Sequence, residues 1–103
     1  MSIGSSQPFR PAGTVAINAT STPTNNQLIG EGETILVTNA ATDVAFVRFG
    51  ADVSVTASTT GDLPVLPGTC SLVGVNTLIK YAAAVLTSGS GQIYFTVGDG
   101  SSI

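Results

Sequence analysis

Apolar and polar residues alternate with a period of two along most of this chain. In Thr14–Ala19, Val15 and Ile17 alternate with Ala16 and Asn18, and the pattern returns in Thr34–Thr38, Val44–Phe49 and Gln92–Val97. Successive side chains of a strand point to opposite faces, so this period predicts half-buried β-strands. Cys70–Val75 and Leu78–Leu86 are further predicted strands. Within the latter, Tyr81-Ala-Ala-Ala-Val85 admits a short helix, but its length and flanking turns favour a strand. Asp52–Thr60, β-branched and rich in Ser and Thr, is predicted as a short outer strand.

Turn chemistry separates these segments. Asn39-Ala-Ala-Thr-Asp43 reads as a hairpin turn, Thr87-Ser-Gly-Ser-Gly91 as another turn, and Thr20–Gly32 as a long connection. Asp62-Leu-Pro-Val-Leu-Pro-Gly68 reads as a rigid corner, with φ fixed at two prolines and a reversal permitted at Gly68. Seven to eight short strands, spaced roughly 8–12 residues apart, predict an all-β fold: an antiparallel β-sandwich or jelly roll. Pro8 and Pro11 disfavour helix, so residues 1–13 are expected to form an extended N-terminal arm. Residues 14–103 then form a single β-sandwich domain.

Alternation also sorts faces. Val15, Ile17, Ile35, Val37, Val47, Phe49, Ile93, Phe95 and Val97 are placed inward together, which turns Arg48, Gln92 and Thr96 outward. The same choice turns Leu36, Phe46 and Tyr94 outward, and these three predict a partner-facing patch. Within the arm, Phe9 and Arg10 are the side chains large enough to anchor it. The expected protein interface is therefore Gln7, Pro8, Phe9, Arg10, Leu36, Phe46, Arg48 and Tyr94.

Composition points away from chemistry. Charged residues make up only 9% of the chain and histidine is absent, so no Ser/His/Asp or Cys/His set exists. No S-x-x-K spacing accompanies Lys80, and the acids sit beside glycine or in turn-like contexts where capping is their expected duty. Glu31 and Glu33 share one loop but lack a calcium-loop register. Ser88-Gly-Ser-Gly91 lacks the spacing of a nucleotide-binding loop, and Asn18-Ala-Thr20 is a formal glycosylation sequon with no secretory signal before it. No enzyme activity, cofactor or metal is expected. The net charge is −3 and Arg10, Arg48 and Lys80 are the only cations, too few and too scattered for a nucleic-acid surface. The longest strongly apolar run, Tyr81–Leu86, is far short of a bilayer span, so no membrane partner is expected. Cys70 is the single cysteine, which excludes an intrachain disulfide and predicts a small buried hydrophobe. A chain this poor in charge is expected to be covered in part by neighbours.

Three segments, in this order, carry a resemblance: Val44-Ala-Phe-Val-Arg-Phe-Gly50, Leu63-Pro-Val-Leu-Pro-Gly-Thr69 and Gln92-Ile-Tyr-Phe-Thr-Val-Gly-Asp-Gly100. Over roughly residues 33–100 the chain resembles a group of small virion proteins of tailed bacteriophages. That resemblance implies a structural role and no catalytic residue. The expected function is that of a capsid decoration, or cement, protein that bridges and stabilises major capsid subunits as a homo-oligomer. It would be made in the bacterial cytoplasm and carried in the virion. A tail, collar or fibre-associated subunit is the alternative within virions, and a host-glycan-binding receptor module the alternative outside the shell.

Overall fold

The computed structural model describes residues 8–59, 61–75 and 78–100, which form eight strands and no helix. The strands are β1 (Arg10–Ala19), β2 (Thr24–Gln27), β3 (Thr34–Asn39), β4 (Ala45–Gly50), β5 (Leu63–Val65), β6 (Cys70–Gly74), β7 (Tyr81–Leu86) and β8 (Gly91–Asp99). They make two four-stranded sheets, ordered β1-β8-β3-β6 and β2-β7-β4-β5, with every pairing antiparallel. First pairs with eighth, second with seventh, third with sixth and fourth with fifth. That nesting is one long antiparallel hairpin rolled across two sheets, the strand order of a jelly roll.

The inward set read from the alternation lies in the core, which Ala45, Val65, Ala82, Ala84 and Leu86 help to complete. Ile17, Ile35, Val37, Val47, Ile93, Phe95 and Val97 are buried, and Val15 and Phe49 pack against them half-buried. Phe49 and Phe95 meet edge to face across the sandwich, centroids 5.9 Å apart and ring planes at 86°. Each such large apolar side chain contributes about 1.5–3 kcal/mol on burial. Strand β7 is buried on both faces, which explains its unbroken apolar run. Ala82, Ala84 and Leu86 face the main core, while Ala83 and Val85 face a second cluster with Ala57, Phe46 and Val55.

That second cluster corrects one expectation. Residues 52–59 form no strand but a turn and an irregular segment. The segment lies over the outer face of the second sheet, buries Ala57 there, and is tied down by Asn25, whose Nδ2 donates to the carbonyls of Val53 (2.8 Å) and Val55 (2.9 Å). One turn also differs from expectation: Asn39–Asp43 closes no hairpin. Asn39–Asp43 and Thr87–Gly91 each carry the chain from one sheet to the other, because β3 and β8 lie in the first sheet and β4 and β7 in the second. β3 is already flanked by β6 and β8, so no edge is left beside it for β4.

The first of those crossovers is built on a buried polar residue. Asn39 is fully buried, and its Nδ2 donates to the carbonyls of Asp43 (2.9 Å) and Val65 (2.8 Å) while Oδ1 accepts from the Ala41 N–H (2.9 Å). Its backbone N–H donates to the Thr69 carbonyl and its carbonyl accepts from the Gly68 N–H. One residue thus joins the end of β3, the crossover and β5 through its side chain, and the turn into β6 through its backbone.

At the N-terminus, pairing starts at Arg10, ahead of the expected Thr14, with a register shift between Pro11 and Gly13. An edge strand tolerates Pro11, whose missing N–H deprives no central ladder. The arm's remaining residues, 1–7, including Gln7, lie outside the described residues. A further strand, β2, falls inside the segment expected to be a long connection. Its sequence, Thr-Asn-Asn-Gln, carries no apolar alternation to signal it.

Candidate interaction surface

The two outer sheet faces differ in kind. On the second sheet, Phe46, Arg48, Ala83 and Val85 point away from the core, and residues 52–59 together with Asp62 lie over them. Asp62 clamps this cover: one carboxylate oxygen accepts from Arg48 Nε at 2.6 Å and the other from the Ser58 N–H at 2.6 Å. The Asp62 side chain is 4% exposed and that of Arg48 is 53% exposed. Phe46 and Arg48 therefore spend their contacts within the chain.

The outer face of the first sheet has no such cover among the described residues. Register places Thr14, Thr96, Leu36 and Leu72 in one row across β1, β8, β3 and β6, and Ala16, Tyr94, Thr38 and Cys70 in the next. Thr14 and Thr96 share a hydroxyl hydrogen bond of 2.9 Å. Neither row carries a charged side chain. Leu36 and Tyr94 are diagonal neighbours across β3 and β8, close enough for contact between long side chains. Tyr94 is 38% exposed and Leu36 half-buried.

The eight expected interface residues therefore do not make one surface. Leu36 and Tyr94 share the open face, whereas Phe46 and Arg48 lie on the opposite side of the sandwich, partly under its covering segment. Pro8, Phe9 and Arg10 sit at the β8 end, against Gly98 and Gly100. Gly98 is required there, since a Cβ would lie 2.1 Å from the Arg10 carbonyl oxygen. Leu72 belongs to the open face and was missed, because the sequence does not say which neighbour completes a row. Cys70 is exposed, a correction to its expected burial. It opens an edge strand and stands opposite Thr38 on the outer face.

Among the described residues no group of three His, Cys, Asp or Glu side chains is placed to hold a metal. The four aspartates serve turns and loop closures. Asp52 accepts from the Ser54 hydroxyl and N–H, which holds its carboxyl below the ordinary value. Asp99 accepts from the Glu33 N–H at 3.3 Å, and Asp43 from Ser88 Oγ at 3.3 Å. Tyr81 and Tyr94 face outward from different sheets, so they make no shared platform for a sugar ring. A cavity of about 140 Å³ opens at one end of the sandwich, walled by Leu28, Ile35, Val75, Ile79 and Val97, with Glu31 and Lys80 also in its lining. Its volume is that of a cavity able to take a benzene-sized molecule.

Comparison with protein-family models, with curated proteins and with solved structures finds no match to this chain.

Proposed function

We propose that this chain is a structural protein of a tailed-bacteriophage particle, a decoration protein that seats the outer face of its first sheet on the major capsid protein. The observation that carries the reading is the asymmetry of the sandwich. One outer face is covered by the chain's own loop, and the other presents Leu36, Leu72 and Tyr94 among uncharged neighbours. Two further points support it: the resemblance over residues 33–100, and the jelly-roll order, an architecture shared by viral capsid domains, lectins and cupins. The latter is analogy of fold and carries less weight than the face itself. Against the cupin alternative, the chain has no histidine to ligate a metal. Against the lectin alternative, its two tyrosines stand apart.

The mechanism is passive. A flat, uncharged sheet face gives up little hydration when covered, and its apolar side chains supply the contact. A stable interface buries more than about 1,000 Å² in total, so each copy is expected to straddle two shell subunits. Engagement of the second subunit is then intramolecular and strengthens the first. Bridging resists separation of the shell without any bond being made or broken.

Quantitative mass spectrometry of purified particles tests the reading. Hundreds of copies per particle are expected for a shell protein. A handful would move the chain to the tail, and absence from the particle would overturn the proposal. Deleting residues 1–7 is expected to leave the fold intact and to weaken incorporation.

A further inference from the structure

A jelly roll leaves four sheet edges, here β1, β2, β5 and β6, and three of them carry features that hinder pairing. On β1, Arg10, Pro11 and the register shift disrupt one end, and Asn26 Nδ2 donates to the outward Ala16 carbonyl at 3.4 Å. The four-residue β2 has its Gln27 N–H capped by Asn26 Oδ1 at 2.9 Å. β5 is three residues long with Pro64 at its centre, opposite Phe46. Short strands, prolines and bulges are the usual devices by which a sheet avoids pairing with another chain.

β6, Cys-Ser-Leu-Val-Gly, is one residue longer than β2 and has no charge, no proline and no bulge in its pairing. The hydrogen bonds at its two ends fix which way each peptide points. Val75 N–H donates to the Glu33 carbonyl and Asn39 N–H to the Thr69 carbonyl. Both pairs lie on the β3–β6 register, so by antiparallel alternation Ser71 and Val73 also bond to β3. Cys70, Leu72 and Gly74 therefore aim their N–H and C=O groups away from the sheet.

We propose that β6 is a dimerisation edge: a second copy of this chain pairs its β6 antiparallel to the first across a two-fold axis at Leu72. The two first sheets join into one of eight strands. A second copy fits because the strand complements itself. Centring on Leu72 sets Leu72 against its counterpart and Cys70 against the partner's Gly74, and all three outward-pointing residues find partners at once. No like charges meet, since the strand has none. Gly74 adds no bulk opposite Cys70, and on the outer face the two Leu72 side chains extend the Leu36–Leu72 row into one apolar stripe. Leu63 and Leu66, on β5 and its following turn, are also exposed. The inference rests on the edge alone and holds whether or not the chain belongs to a virion.

Light scattering on the purified wild-type chain is expected to give twice the 10.3 kDa chain mass. Hydrogen exchange is expected to show the Leu72 and Gly74 amides protected in a concentration-dependent way. A monomer at every concentration overturns the proposal. So does protection that ignores concentration, which would put a segment of the same chain on the edge. Leu72→Lys and Leu72→Glu are each expected to run as folded monomers, and an equimolar mixture to regain the dimer, because position 72 faces itself. If either variant remains dimeric alone, or the mixture stays monomeric, the two-fold register is wrong. Should a variant lose its circular-dichroism signature, a bismaleimide tests the wild type instead. Cys70 and its counterpart stand four residues apart along the paired strands, about 13 Å. Efficient linkage by a spacer of that span supports the register, and its absence contradicts it.

Discussion

Replacing Asn39 tests the packing account most sharply, because a buried side-chain amide here joins the end of β3, the crossover and β5. Asn39→Ala removes three hydrogen bonds in a place water does not reach. The Ala41 N–H then loses its side-chain acceptor, and the Asp43 and Val65 carbonyls each lose a donor. A buried polar group left unpaired costs about 1–3 kcal/mol, whereas a carbonyl that keeps a second partner costs less. The expected destabilisation is about 2–4 kcal/mol, read from the midpoint of urea unfolding at constant slope. Asn39→Asp separates hydrogen bonding from volume. At neutral pH it would set a carboxylate against two carbonyl oxygens that now lie 2.8 and 2.9 Å from a donor. Such a carboxyl has its pKa raised in the folded state, so its penalty is full at neutral pH and shrinks as pH falls through the folded value. The gap between Asn39→Asp and wild type is therefore expected to narrow on acidification. Asn18→Ala, on the exposed face, serves as control within about 0.5 kcal/mol of wild type. An Asn39→Ala variant as stable as that control, or an Asn39→Asp deficit indifferent to pH, would refute the reasoning.

Other outcomes follow from the same contacts. Asp62→Ala is expected to cost about 1–2 kcal/mol in urea unfolding and to loosen residues 52–59, seen as faster amide exchange there. Ala83→Leu, which forces a larger side chain between β7 and its covering segment, is expected to cost about 1–3 kcal/mol by overpacking, while Thr38→Leu on the open face costs little. Gly98→Ala must displace the Arg10 carbonyl or the Phe9 ring, so it is expected to free the N-terminal end of β1 and lower Tm. Asp52, held low by Ser54, adds stability above its unfolded-chain pKa and loses it as pH falls through the folded value. A carbon-detected NMR titration is expected to find its midpoint below ordinary, and Ser54→Ala to raise it.

How much of this was legible in the chain depends on range. Side-chain period is a local property, so Val15, Ile17, Ile35, Val37, Ile93 and Phe95 were placed in the core without knowledge of the topology. Sheet membership is not local. Asn39–Asp43 has the residues of a hairpin turn, yet it crosses between sheets because β8 and β6 already occupy both sides of β3. Polar β2 and the covering segment 52–59 exchanged their expected roles for one reason. Asn25 and Asn26 work through side-chain hydrogen bonds that no apolar pattern encodes, and Ala57 is too small to announce its burial. The interface set divided for the same cause: alternation told which residues turn outward, but not from which sheet.

Binding to shells that lack this chain tests the account's central claim most directly. Particles assembled without it are incubated with purified wild-type protein or with the Leu36→Glu/Tyr94→Glu double variant, after matching unfolding curves are shown. Saturable attachment of the wild type, lost in the variant and accompanied by greater resistance to heat rupture, is the predicted result. Wild-type protein that fails to attach, or a variant that attaches and stabilises equally well, would contradict it.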